Sequence, residues 1–167
     1  MRPIRNKEDG FTLVEVLAAL AISSLIILIA YSLFFATQDT YERVTEENDI
    51  RKEADYLMAS LINEFFTLRS SEIIEEHFPE EGTANYFLKT KKGNLGIIDH
   101  KLFIKGEPIP SSTPNIYLAD SSKIKRVEKS TTDYEIILVL KSKKTGRTLE
   151  LTSILNVIND REENSSE

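Results

Sequence analysis

Gly10-Phe11-Thr12-Leu13-Val14-Glu15 opens the stretch that decides the fold, and Val16-Leu17-Ala18-Ala19-Leu20-Ala21-Ile22 continues it. From Phe11 to Ala36 the chain runs for 26 residues with a single charge, Glu15, and the bases Arg2, Arg5 and Lys7 stand just before it. Roughly 20 apolar residues suffice to cross a bilayer as one helix. A carboxylate in such a run costs about 2.5–3.5 kcal/mol at the bilayer centre and less towards the interface, so it calls for a partner. A cut after Gly10 creates one. Phe11 then carries an α-amine, and Glu15 lies one helical turn further on, on the same face. Ammonium and carboxylate each offset part of the other's desolvation. The pairing works within one chain or between neighbours in a helical assembly.

This arrangement resembles the class III signal of type IV prepilins and type II secretion pseudopilins. Those chains have a short basic leader, Gly at the cut, a Phe that is usually N-methylated, and Glu as the fifth mature residue. Gly10, Phe11 and Glu15 match, and the likeness extends to about Ala36. It implies a leader peptide over 1–10, cleavage between Gly10 and Phe11 by a membrane aspartyl prepilin peptidase, and N-methylation of Phe11. It implies an assembly role for Glu15 and a helix over 11–36 that serves first as membrane span, then as filament core. An assembly ATPase, its platform protein and other pilins are the implied partners. Two plainer readings compete. An ordinary signal anchor explains the bases and the length, but not Glu15 at this spacing from a Gly-Phe junction. A cleaved secretory signal has an apolar core of only about 7–15 residues, and the only passable site, Ala30-Tyr31-Ser32, lies inside the run.

With 167 residues, one globular domain beyond the span is the natural count. The net charge of −6 does not favour non-specific nucleic-acid binding. Cysteine is absent, which excludes disulfide staples, thiolate metal sites and thiol catalysis. Many pilins of the resembled family carry a disulfide near the C-terminus. Major pilins often also carry a Pro about twenty residues into the mature helix, where this chain has Leu33-Phe34-Phe35. It departs from the family on both counts.

No Pro or Gly occurs between Gly10 and Pro79. The segment 37–49 is polar on most sides and reads as a solvated neck. From Ile50 on, Ala54, Leu57, Met58, Leu61, Ile62, Phe65 and Phe66 recur at helical spacing, with Tyr41 and Val44 upstream. Arg51, Lys52, Glu53, Asp55, Asn63 and Glu64 fall mainly off that stripe. One helix is therefore expected from Phe11 to about Leu68, its amphipathic part covering about 37–68.

Ser71 begins an expected helical turn through Glu76, which Pro79 and Gly82 end. Strands are then expected within 84–157: Ala84 to Thr90, Leu95 to Ile98, Lys101 to Lys105, Asn115 to Ala119, Ser122 to Lys129, Asp133 to Ser142 and Arg147 to Val157. Asp99-His100 forms a two-residue link, and a proline-rich loop covers 106–114. Tyr134-Glu135-Ile136-Ile137-Leu138-Val139-Leu140 is the strongest strand pattern. The expected fold class is α+β: a long N-terminal helix, half membrane and half amphipathic, packed on an antiparallel β-meander, a pilin-like lollipop. The globular domain covers 37–158, and 159–167 reads as a disordered acidic tail. The order of helix, short turn and meander, with the phrase from Ile50 to Leu61, also resembles minor pseudopilins of the J type and competence minor pilins.

No catalytic, cofactor or metal motif stands out. His77 and His100 fall in expected loops, and Glu75, Glu76, Glu80 and Glu81 lack the graded loop of a calcium site. Three basic clusters do stand out: Lys89, Lys91 and Lys92; Lys123, Lys125, Arg126 and Lys129; Lys141, Lys143, Lys144 and Arg147. Lys143, Lys144 and Arg147 are candidate contacts to DNA phosphates, against the simpler reading that lysines blunt strand edges. The expected function is a structural minor pilin or pseudopilin, not an enzyme, serving DNA uptake, secretion or adhesion. Its N-terminus is cytoplasmic, as the basic leader dictates, and its globular domain lies outside. The alternative is a single-pass anchored protein whose external domain binds a ligand and never polymerises.

Overall fold

The computed structural model describes residues 12–79 and 85–160. It divides into two units, one ending at Thr45 and one beginning at Glu46.

The first unit is the N-terminal part of helix α1, Leu13–Phe65. With no helix breaker the i→i−4 ladder runs on uninterrupted. Leu17, Leu20, Leu25, Ile26, Leu33 and Phe34 are all exposed, so apolar side chains cover every side of the helix rather than one stripe. A helix of that kind is a membrane span or the core of a larger body, and this one is long and apolar enough to cross a bilayer. Two of its serines bond inside the helix. Ser24 Oγ donates to Ala21 O and Ser32 Oγ to Ile29 O, both at 2.8 Å. In lipid that internal bonding removes the penalty of an unpaired polar group.

The second unit packs the rest of α1 against two antiparallel sheets. Ile50, Ala54, Leu57, Met58, Leu61 and Phe65 are buried, as the stripe predicts. Tyr41, Val44 and Phe66 are exposed instead. Glu53 and Glu64, read as lying off the stripe, are buried at 2% and 8% exposure. Each is compensated. Glu53 Oε2 accepts from the Ser112 amide (3.0 Å) and hydroxyl, and Glu64 pairs with Lys105 at 3.1 Å.

The expected helical turn at Ser71 to Glu76 is a 3-10 turn over Ser70–Glu72 followed by strand β1, Ile73–His77. His77 is therefore a strand residue, its ring stacked on Phe87 at 4.9 Å. The segment is extended because it pairs with β2, Tyr86–Thr90. The next strands are β3 (Gly93–Ile98), β4 (Lys101–Ile104) and the two-residue edge β5 (Glu107–Pro108). These five form the first sheet in sequential order. Asp99 (φ 48°) and His100 (φ 62°) make the tight link between β3 and β4, a twist that suits a two-residue hairpin.

The second sheet is separate, where a single meander was expected. Its strands are β6 (Ile116–Leu118), β7 (Lys123–Arg126), β8 (Asp133–Ser142) and β9 (Thr148–Asn156). β8 pairs with β9 along one edge, and with β6 and β7 along the other. Tyr134 joins the layers. Its buried ring meets Phe65 of α1 edge-on at 5.7 Å and Phe78 at 6.2 Å. Its hydroxyl donates to Glu76 of β1 at 2.7 Å, and Arg126 of β7 donates to the same carboxylate oxygen. Burial first, then the bond to Glu76, pushes the Tyr134 phenol up to about 12.

The acidic tail was expected from Asn159, yet Asp160 is held. It accepts from the Ser70 hydroxyl and the Ser71 amide, each at 2.9 Å, and from the Ser71 hydroxyl. Residues 161–167 lie outside the described residues. These donors, the Ser71 hydroxyl above all, bring the Asp160 carboxyl down to about 2. A lowered carboxyl contributes stability above its ordinary value of about 3.9 and loses it as pH falls through the folded value. The Ser71 amide resonance is therefore expected to move with a midpoint near pH 2, as its acceptor is protonated. In Asp160→Asn that titration should be gone; a titration persisting in the variant would assign it to another group.

Candidate functional site

The motif's carboxylate sits in the first turn of α1. Thr12 precedes the helix, and Glu15 is its third residue. The Thr12 amide donates to Glu15 Oε2 at 2.9 Å and the Thr12 hydroxyl to the same oxygen at 3.0 Å. The Glu15 amide returns a bond to Thr12 Oγ1 at 3.3 Å. This is a capping box: the hydroxyl satisfies an orphan amide of the first turn, and the carboxylate satisfies the amide before it. Thr12 escaped the sequence reading, although its spacing to Glu15 carries the signature. Gly10 and Phe11 lie outside the described residues, so the geometry around the expected cut is not drawn from them.

The match that decides the nature of this segment is to the prokaryotic N-terminal methylation motif, over residues 5–31. This segment is similar to the N-terminus of type IV prepilins and pseudopilins. No curated protein and no solved structure matches it. The α+β arrangement of one long N-terminal helix with antiparallel sheets is pilin-like. Such a signal implies processing by prepilin peptidase and association with the membrane and with other pilins.

Each of the candidate DNA contacts has a neighbour within the chain. Lys143 Nζ lies 5.8 Å from the centre of the Tyr117 ring. Lys144 and Arg147 act on Glu46 of α1, which accepts from the Ser142 hydroxyl and, at 2.8 Å, from the Thr145 hydroxyl. The Ser142 bond foremost, then Thr145 and these two cations, hold the Glu46 carboxyl below the usual carboxylate range. The β8–β9 turn is thus fastened to the helix. Other members of the basic clusters face acids too: Lys89 meets Glu75 (3.8 Å), Lys92 meets Glu72 (2.9 Å) and Lys125 meets Glu135 (2.6 Å). Of the acids weighed for calcium, Glu76 is taken by Tyr134 and Arg126. Glu80 and Glu81 lie outside the described residues.

Proposed function

We propose that the chain is a structural minor pilin or pseudopilin, cut between Gly10 and Phe11 and methylated on the new Phe11 amine. The supporting observation is the methylation motif at residues 5–31, leading into a helix whose N-terminal part exposes its large apolar side chains from Leu13 to Phe35. A segment that presents apolar surface on every side gains by exchanging lipid for identical helices in a filament, where close packing replaces lipid contacts. The basic leader holds the N-terminus in the cytoplasm and places the globular unit outside. An assembly ATPase and platform protein then drive the span out of the bilayer. Glu15 acts in registration, meeting the Phe11 amine of its own or an adjacent subunit. No group in this reading performs catalysis. Lys144 and Arg147 help to fasten the β8–β9 turn through Glu46, which supports a structural use of these cations. Secretion, DNA uptake and adhesion all use subunits of this kind, and identifying the pilins that co-purify with the chain decides among them.

Mass spectrometry of the protein from its native membrane tests the reading directly. The mature chain is expected to begin at Phe11 and to be one methyl group heavier than its sequence. Gly10→Ala should leave the leader attached. A chain that still begins at Met1 beside an active peptidase would instead be the single-pass anchored protein that never polymerises.

A further inference from the structure

A cavity of about 340 Å³ lies where α1, the β3–β4 turn, the proline-rich loop and the second sheet meet. That is the small end of the range for ligand pockets, about 300–1,000 Å³. Its walls are apolar: Leu57 of α1, Leu102 of β4, Ile109 of the loop, Leu118 of β6 and Leu140 of β8. Glu53 also lines it, and Glu53 is 98% buried. Both Ser112 donors land on Oε2. Oε1 receives no bond from the described residues, yet no fully buried side-chain oxygen among them lacks a partner. Oε1 is therefore not fully enclosed, on a residue that lines the cavity. An acceptor of this charge in apolar surroundings favours a charged donor, because the low local dielectric strengthens the pair. Lys101, the first residue of β4, and His100 of the β3–β4 turn also line the cavity. Lys101 is exposed, so its charge is screened by solvent while that of Glu53 is not. The Nδ1 of His100 lies 3.0 Å from Leu118 O and 3.5 Å from Asp120 Oδ1, so that nitrogen is engaged away from Glu53.

We propose that this cavity binds an alkylammonium group, its chain against the leucines and its nitrogen donating to Glu53 Oε1. The group is either a free aliphatic amine or the side chain of a lysine on another polypeptide. The inference does not depend on filament assembly.

Titrating the full chain in a non-ionic detergent with hexylamine, with hexanol as the neutral isostere and with Nα-acetyl-lysine methylamide tests it. Methyl resonances of Leu57, Leu102, Leu118 and Leu140 give the readout. Hexylamine should shift them saturably and bind at least about tenfold tighter than hexanol, as expected for a hydrogen bond to a charged group. Glu53→Gln should remove that preference and leave hexanol binding unchanged. The comparison of the two ligands on the unaltered chain stands even where the variant fails to fold. Binding of the lysine derivative, dependent on Glu53, assigns the site to a side chain; binding of hexylamine alone assigns it to a free amine. Equal affinity for hexylamine and hexanol, no shift at these methyls, or hexylamine binding indifferent to Glu53→Gln would each overturn the proposal.

Discussion

A Glu15→Ala subunit is expected to be cut at Gly10 as usual and then to be nearly absent from filaments. Two functions meet on that carboxylate. One is observed: Glu15 Oε2 accepts from the Thr12 amide and hydroxyl and closes the first turn of α1. The other is proposed: after cleavage the carboxylate neutralises the Phe11 amine among packed apolar helices. Removing one member of a buried pair costs about 3–5 kcal/mol, because the other charge stays behind unpaired. Incorporation should therefore fall by at least about a hundredfold. The cap is worth less, about 0.5–2 kcal/mol. Glu15→Gln separates the two, since glutamine at the third helical position still completes a capping box but carries no charge. The Gln subunit should be nearly as deficient as the Ala subunit. Thr12→Ala, which keeps the charge and loses the hydroxyl, should incorporate within about thirtyfold of normal. These amounts are read by quantifying mature subunit in sheared filaments against the membrane pool. Normal incorporation of the Gln subunit would leave Glu15 a helix cap and nothing more.

Elements with strong local patterning were legible from the chain alone. Asp133 to Ser142 was read as a strand and is β8 at the same bounds. Asp99-His100 was read as a two-residue link, and both residues have the positive φ that such a link uses. The absence of Pro and Gly gave the long helix, which ends at Phe65 rather than Leu68. What stayed hidden depends on partners far along the chain. Glu53 stands three residues after Ile50 and four before Leu57, squarely on the apolar stripe, but its charge argued it outward. The donor that lets it stay inside, Ser112, is 59 residues away. Ile73 to His77 has two leading isoleucines and two acids, which no alternation marks as a strand. Pairing with β2 extends it, and Glu76 is fixed by Tyr134, 58 residues on. Asp160 belongs to a polar stretch that composition alone marks as tail, and its donors lie 89 and 90 residues back. The division into two sheets has the same origin. Strand patterns state that a segment pairs; they do not state with which edge.

Gly96→Ala is expected to bring the second unit close to unfolding. Gly96 lies inside β3, opposite Phe87 of β2 and Phe103 of β4. Its φ is +143°, which side-chain-bearing residues rarely adopt. A Cβ there would stand 2.3 Å from the Tyr86 carbonyl oxygen and 2.6 Å from the Phe87 Cα. Both obstacles are backbone, so no rotamer change relieves them and β2 itself must shift. Displacing β2 disturbs Leu88, which has no exposed surface, and the pairing that keeps β1 extended. Strain at an unsuitable φ costs about 1–3 kcal/mol, and forcing atoms into a packed layer costs a further 1–3 or so. The sum is a large share of the roughly 5–15 kcal/mol that holds a domain together. The melting temperature of the full chain in detergent, followed by near-ultraviolet circular dichroism, should drop by about 10 °C or more. Gly146→Ala is the matched control. Gly146 also has a positive φ, +73°, but an added Cβ there meets nothing within 4 Å. It should lose only the backbone strain. Equal melting temperatures for the two variants would mean that β2 and β3 do not approach as closely at Gly96 as the structure has them.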